Sequence, residues 1–402
     1  MKQKTWDWIF DIELIIGIIV SAILGIIDKS IPQIFWTKLG WVTLVLLVII
    51  LGLRILGKKR CFASLISKWI SSITLIFVFN FLTYIVISVL NIVAKSLVSV
   101  WSVLGMLLLL VIDIPIVVVN FPVVKNCFLR LFVVFMIFLS YIYNINRFWG
   151  EPHWVKSISF SGIVIAIATF ILAFFILKAW NFNFNWNLKL IKTKHFQILV
   201  LIFLVLFSVW FAFFNTFIYL ASTLSELFCF WQWDLSTFKV TTDAIMTAAT
   251  AGIVEETIRC LNLMILLWTM RNCKWQIVAS VFITSIMFSL GHLTNIGINS
   301  VGMHFDLETT LQQVMYAFGL GMMFAVIYLY TGKLWLGMLI HGLLDLIAFS
   351  RTPLSVMGLP LTDDNWLIAA ILMLIPLVVA LMMMTGKRLQ FMQDNVNRMI
   401  DK

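Results

Sequence analysis

Charged residues are scarce in this sequence, and that scarcity decides its class. Only 11% of its 402 residues are Asp, Glu, Lys or Arg, whereas 62% are hydrophobic. Soluble domains carry about 25% charged residues and about 45–50% apolar ones. These two departures exclude a soluble globular enzyme, a disordered chain and a fibrous repeat. We therefore expect a helical protein that crosses the lipid bilayer several times.

Cysteine and the common hydrolase motifs are also lacking. The five cysteines include no pair spaced as Cys-x-x-Cys, which argues against a disulfide scaffold and against a zinc site built from cysteines. The chain contains neither the HExxH stretch of zinc peptidases nor a Gly-x-Ser-x-Gly stretch. No cleavable signal peptide is evident, because no small-residue cleavage site follows the first apolar run.

Long apolar runs fill most of the chain. A spanning helix needs about 20 apolar residues, and about twelve runs meet that length. Backbone groups in lipid must bond within the protein, so we expect helices; the runs lack the alternation of barrel strands. The predicted fold class is all-α, a polytopic transmembrane helical bundle. The spans are predicted near residues 8–27, 39–57, 69–92, 98–120, 127–146, 157–179, 195–221, 242–270, 275–293, 310–331, 334–350 and 365–386.

The basic residues of the chain lie mostly in short clusters between these apolar runs. The net charge is +10, with 28 Lys and Arg against 18 Asp and Glu. If the N terminus is cytoplasmic and twelve spans alternate, eighteen of these cations fall on the cytoplasmic side and seven outside. Basic residues favour cytoplasmic loops. We therefore expect both termini in the cytoplasm, and we expect no nucleic-acid partner.

The composition divides the chain into two regions. Residues 1–222 form an N-terminal transmembrane region whose role the sequence does not indicate, and residues 223–402 contain the polar clusters. The first region carries three acids within its spans, Asp11, Glu13 and Asp113. We interpret them as structural or interfacial, although an acid inside a membrane is a functional candidate in general.

The first polar cluster is a pair of adjacent carboxylates inside a predicted span. Glu255 and Glu256 are followed by Arg259, which lies within one helical turn of either glutamate. Burial of two carboxylates near the middle of a span is unfavourable. A structural ion pair explains the arginine and one glutamate, and it leaves the other glutamate unexplained.

Two further clusters supply histidines. Phe288 and His292 lie near the outer end of one span, and His341 and Asp345 share one face of another. A lone intramembrane histidine is usually a hydrogen bond between helices, but two histidines with two glutamates favour catalysis. A carboxylate can take a proton from water, and imidazoles can stabilise an oxyanion. His292, His341 and Glu255 also suit a divalent metal such as zinc; no other cofactor is expected.

The order of these motifs resembles that of a known family. Glu-Glu…Arg, then Phe-x-x-x-His, then His-x-x-x-Asp is similar to the CPBP intramembrane peptidases. That family includes the CAAX prenyl endopeptidases of the Rce1 type and bacterial proteins of bacteriocin production and self-immunity. Phe-Ser-Leu-Gly-His-Leu-Thr-Asn resembles the second motif of the family, and Tyr-Thr-Gly-Lys-Leu-Trp resembles the turn before its third. The resemblance covers about residues 240–352.

The resemblance implies a membrane-embedded endopeptidase that hydrolyses a peptide bond with glutamate-activated water. In this resemblance Glu255 is the base that activates water, with Glu256 beside it. His292 helps to hold that water or a metal, and His341 and Asp345 stabilise the oxyanion or complete the site. The expected partners are the bilayer and a peptide or lipidated peptide. The richness in Ile, Phe, Asn and Lys is typical of an AT-rich genome, and we expect the cytoplasmic membrane of a bacterium.

Two other functions stay open at this point. Two residues separate Glu256 from Arg259, whereas the family usually has three, and the difference rotates Arg259 by about 100° around the helix axis. This departure favours a non-catalytic bacteriocin-immunity or scaffold protein of the same fold. A proton-coupled transporter is the other alternative, although we find no inverted repeat and no matching pair of spans broken by Gly or Pro.

Overall fold

The computed structural model describes most of the chain. The described residues are 3–27, 38–57, 61–143, 148, 151–184, 186–187, 189, 195–218, 238–297, 299–300, 303–304, 306–351 and 365–400. Each of the twelve predicted spans coincides with helical structure, which confirms the all-α class. Within the described residues, strands occur only as β1 (Asn299–Ser300) and β2 (Met303–His304). They pair antiparallel, with Asn299 opposite His304.

The chain folds as two compact units, Met1–Phe182 and Asn183–Lys402. The described helices of the first unit are α1 (Gln3–Ile27), α2 (Lys38–Gly57), α3 (Cys61–Val93), α4 (Val98–Leu109), α5 (Ile114–Asn120), α6 (Cys127–Tyr143), α7 (His153–Ser161) and α8 (Ile163–Ala179). Those of the second are α9 (Ile198–Phe217), α10 (Thr242–Thr269), α11 (Gln276–Gly291), α12 (Leu307–Thr331), α13 (Leu334–Arg351), α14 (Asn365–Met383) and α15 (Gly386–Ile400). The division of the chain at residue 222 stays a prediction; by packing, the second unit also includes α9.

Helix length and hydropathy in the structure identify fewer spans than the twelve predicted from the sequence. Among the described residues, eight helices are long and apolar enough to cross a membrane, or nine if the bent pair α7 and α8 is one span. The apolar helices α6 and α13 are shorter, and α10 carries several charges. The chain is a multi-pass membrane protein. The figure of twelve spans and the cytoplasmic termini stay predictions.

Two of the predicted spans are each divided into two helices. In one, α4 ends before Asp113, and Pro115 stands in the first turn of α5. That turn tolerates proline, because its amides have no partner within the helix. In the other, α7 and α8 meet at Gly162 with a φ of 74° and a bend of 46°. Glycine adopts this left-handed conformation without the strain of a Cβ.

The three acids of the first unit have different surroundings. Asp11 pairs with Arg54, and the same guanidinium lies 3.0 Å from Asp7. Asp11 thus has the structural environment that we expected for all three acids. Glu13 and Asp113 instead carry buried oxygens that have no hydrogen-bond partner among the described residues.

The second unit is built around α10 and α12. Helix α10 packs against α13 and α11, and α12 packs against α11 and α14. At the start of α10 the Thr241 side chain accepts a hydrogen bond from the Ala244 amide, and at the start of α12 Asp306 accepts one from Thr309. These caps satisfy amides that a helix start leaves free. These two long helices therefore begin at fixed positions.

The amphipathic helix α15 follows the last apolar helix and packs against α12 and α10. Its Phe391 and Met392 are buried. The Asn395 amide donates hydrogen bonds to the carbonyl oxygens of Leu329 and Tyr330, at 2.8 and 2.9 Å. Helix α15 thus satisfies two of the carbonyl groups that the last turn of α12 leaves free.

A glycine sets the spacing between α10 and α13. A Cβ at Gly252 would lie 2.6 Å from the carbonyl oxygen of Met338 and 2.9 Å from the amide nitrogen of Gly342. Both neighbours are backbone atoms, so the helices would have to separate. We expect Gly252→Ala to lower the free energy of unfolding by about 1–3 kcal/mol, as measured by denaturation in detergent.

The matched control for this substitution is Gly52→Ala on α2, where an added Cβ meets no atom within 4 Å. Its stability should be unchanged, or higher by about 0.5–1 kcal/mol because alanine favours helix. Equal losses for Gly252→Ala and Gly52→Ala would contradict the close helix contact as the cause.

Candidate active site

Three helices of the second unit and the 3₁₀ helix after α11 bring the predicted site residues together. Helix α10 contributes Glu255, Glu256 and Arg259; α11 and the 3₁₀ helix contribute Phe288 and His292; and α13 contributes His341 and Asp345. All seven lie in well-described structure. The close packing of α10 against α13 is what joins residues about 85 positions apart in the chain.

The His341 ring lies at the centre of this cluster. Its Nδ1 atom is 2.7 Å from Oε1 of Glu256. Its Nε2 atom is 3.5 Å from Oε2 of Glu255 and 3.6 Å from Oδ2 of Asp345. A carboxylate only accepts hydrogen bonds, so Nδ1 donates its hydrogen to Glu256. The ring is therefore anchored at one nitrogen and presents the other to two carboxylates.

The two adjacent glutamates have different environments. The Glu256 side chain is 2% exposed and contacts both Arg259 and His341. The Glu255 side chain is 29% exposed, and His341 is its one ion-pair contact in the described part of the chain. Neighbouring helical residues point about 100° apart, which directs one carboxylate into the interior and the other towards open space. Glu255 is the carboxylate with an oxygen available to another molecule.

Arg259 contacts Glu256 in spite of the shortened spacing. Its guanidinium bonds to Oε1 of Glu256, and its Cζ lies 3.7 Å from the centroid of the Phe288 ring and 5.3 Å from that of Phe324. The residue is buried, and its Nε and Nη2 have no hydrogen-bond partner among the described residues. Aromatic faces attract a cation, so the two rings stabilise this charge where hydrogen bonds do not.

Phe288 connects the two histidines. Its ring centroid lies 4.9 Å from that of His292 and 6.4 Å from that of His341, with the rings nearly perpendicular. Nδ1 of His292 lies 3.2 Å from the Phe288 carbonyl oxygen, which can only accept a hydrogen bond. Nδ1 therefore donates, and in the neutral ring Nε2 keeps a free lone pair. His292 also interacts electrostatically with Glu255 and His341.

Sequence reasoning missed Phe324 on α12. Its ring stacks on His341, with a centroid distance of 4.9 Å and an angle of 8° between the planes. An apolar residue inside an apolar span gives no signal of such a position. Gly337 was also missed: a Cβ there would lie 3.4 Å from Oε2 of Glu256. An isolated glycine within a helix is the one signal that could have indicated this close approach.

The predicted metal ligands do not form a metal-binding group. Among the described residues, no three His, Cys, Asp or Glu side chains lie in an arrangement that could hold a metal ion. Nδ1 of His341 bonds to a carboxylate, and Nδ1 of His292 to a carbonyl group. The zinc expected on His292, His341 and Glu255 stays a prediction, because a histidine that ligates a metal commonly donates its other ring N–H in this way.

Comparison with family models finds a match within the second unit. Residues 237–347 match the family model described as type II CAAX prenyl endopeptidase Rce1-like. This match supports membership of the CPBP family. No curated protein and no solved structure matches the chain.

The CPBP segment begins just before α10 and ends within α13. It contains all seven predicted site residues, from Glu255 to Asp345, and it leaves the first unit outside. The family supports a membrane protease of the CAAX type and, with it, a lipid and peptide environment. The resemblance drawn from the motif order is therefore confirmed.

Proposed function

We propose that this CPBP protein is a membrane-embedded endopeptidase in which Glu255 activates the attacking water. The observation that supports this role is the unequal environment of the two glutamates. Glu256 is 2% exposed, and its Oε1 contacts both Arg259 and His341, whereas Glu255 is 29% exposed. A general base must reach the proton that it removes, and only an accessible carboxylate does so.

His292 is the second group that would hold this water. It interacts electrostatically with Glu255, and the bond from its Nδ1 to the Phe288 carbonyl leaves Nε2 free in the neutral ring. A water between Glu255 and His292 donates one hydrogen to each. Arg259 bonds to Glu256 in spite of the shortened spacing. The spacing therefore no longer favours a non-catalytic protein.

His341 and Asp345 would stabilise the negative charge that develops on the carbonyl oxygen of the peptide. The ring of His341 is fixed by Glu256 and Phe324, so its Nε2 edge faces the same space as Glu255. Water adds to the carbonyl carbon while Glu255 takes its proton. A hydrogen on Nε2 then stabilises the oxyanion. The C–N bond breaks, and the leaving amine takes the proton from Glu255.

The substrate class we propose is a peptide with a lipidated C-terminal segment. Cleavage of a peptide with a farnesylated cysteine, by the full chain in lipid nanodiscs, tests both the reaction and this class. In water enriched in ¹⁸O, mass spectrometry should find one ¹⁸O in the newly formed carboxylate. The same peptide without the farnesyl group should be cleaved more slowly. The proposed function is wrong if the purified protein cleaves neither peptide, and only the substrate class is wrong if both are cleaved equally.

A further inference from the structure

A small cavity lies within the first unit, among helices that the candidate active site does not use. It has a volume of about 20 Å³, enough for one particle the size of a water molecule. Most of its lining is apolar. The polar lining comes from four parts of the fold: Asn80 on α3, Asp113 between α4 and α5, Ser140 on α6 and Thr169 on α8.

Asp113 presents an unpartnered oxygen at this cavity. The residue is 7% exposed, and its Oδ1 has no hydrogen-bond partner in the described part of the chain. The Asn80 side chain interacts with the Asp113 carboxyl group, and its amide donates a hydrogen bond to Oγ of Ser140 at 3.2 Å. The unpartnered Oδ1 of Asp113 is left for a ligand. An isolated carboxylate in an apolar interior is strongly unfavourable.

A second carboxyl group lies near this position. Glu13 stands on α1, which packs against α5, and it interacts electrostatically with Asp113. Its Oε2 is also buried without a partner among the described residues. No Lys, Arg or His side chain of the described residues forms an ion pair with Glu13 or Asp113. The described part of the fold therefore offers no cation of its own to balance them.

The backbone beside the cavity is not a continuous helix. Helix α4 ends at Leu109 and α5 begins at Ile114, with Asp113 in the interval and Pro115 immediately after it. Non-helical backbone at membrane depth occurs where protein surrounds it or where it lines a cavity. Discontinuous spanning helices are also where membrane transporters coordinate sodium ions and protons. This break is independent of the acid pair, and it lies at the same point.

We propose that the first unit binds one alkali cation of about the size of sodium in this cavity. Oδ1 of Asp113 is the charged ligand, and Asn80, Ser140 and Thr169 supply neutral oxygens. Carboxylate and carbonyl oxygens suit hard cations. A water molecule would fill the same space, but it would leave the buried negative charge unbalanced. The bound cation joins α3, α6 and α8 to the break between α4 and α5.

Thermal unfolding of the full chain in detergent tests this site, with sodium chloride exchanged for choline chloride at constant ionic strength. A ligand that binds only the folded protein raises its Tm by mass action. We expect a saturable rise of several degrees in sodium for the natural sequence. Asp113→Asn, which keeps the shape of the side chain, should abolish that rise. The control Asp7→Asn removes a carboxylate from the same unit and should keep it.

Equilibrium binding of ²²Na⁺ gives a second measurement. We expect one ion per chain for the natural sequence and for Asp7→Asn, and none for Asp113→Asn. If Asp113→Asn does not fold, Ser140→Ala keeps the carboxylate and should weaken sodium binding several-fold. A Tm that is equal in lithium, sodium, potassium and choline would overturn the proposal. So would a sodium effect that Asp113→Asn retains, or a Tm that responds to pH and to no cation.

Discussion

Replacing Glu255 by glutamine is expected to slow peptide cleavage by about 10²–10⁴-fold, the contribution typical of a general base. Glutamine keeps the size of the side chain but cannot accept a proton from water. The fold should tolerate the change, because the Glu255 side chain is 29% exposed and has its nearest ionic contact at 3.5 Å. The measurement is kcat/KM for the farnesylated peptide, with the melting temperature of each variant taken in parallel.

The control for this prediction is Glu308→Gln in the first turn of α12. Its carboxylate is exposed and accepts a hydrogen bond from the Trp366 indole at 2.9 Å. This variant should cleave at nearly the natural rate. If Glu255→Gln also cleaves at that rate, another group activates the water, and the proposed role of Glu255 is incorrect.

Replacing Arg259 by methionine is expected to lower the free energy of unfolding by about 3–5 kcal/mol, because removal of one partner leaves a buried charge uncompensated. The charge left behind is Glu256, whose side chain is 2% exposed. The loss should also remove the contacts of the guanidinium with Phe288 and Phe324. Chemical denaturation of the purified protein in detergent measures the change.

The double variant Glu256→Gln/Arg259→Met separates charge from volume. Glutamine at 256 is neutral and can still accept the hydrogen bond from His341, so most of the lost stability should return. A double-mutant cycle with Glu256→Gln alone gives the interaction energy of the pair. If the double variant is as unstable as Arg259→Met, the loss comes from packing around the rings and not from an unpaired charge.

Much of the fold was predictable because hydropathy reports membrane helices directly. Every predicted span coincides with helix in the structure. The breaks at Asp113 and Gly162 were not predicted, since an apolar run looks the same whether its helix is continuous or divided. Helix α15 was also missed, because its apolar residues follow a helical period and do not form an apolar run.

The members of the site were predictable for the opposite reason. Polar residues are so few within the spans that Glu255, His292 and His341 are conspicuous in the sequence. The difference in burial between Glu255 and Glu256 was not. Which glutamate is buried depends on how α10 is rotated against α13, and that rotation is set by close contacts such as the one at Gly252. The role of Phe324 follows only from the structure, where its ring stacks on His341.

The charged residues of α10 affect how this helix inserts into the membrane during synthesis. This helix carries Glu255, Glu256 and Arg259 and is absent from the helices that pass as apolar spans. Acidic and basic residues at the centre of an inserting helix cost about 2.5–3.5 kcal/mol each. The group that completes the neutralisation of Glu256, His341, is translated 85 residues later. We therefore expect integration of α10 into the bilayer to be complete only after α13 has left the ribosome, so that assembly of the candidate site is late and cooperative.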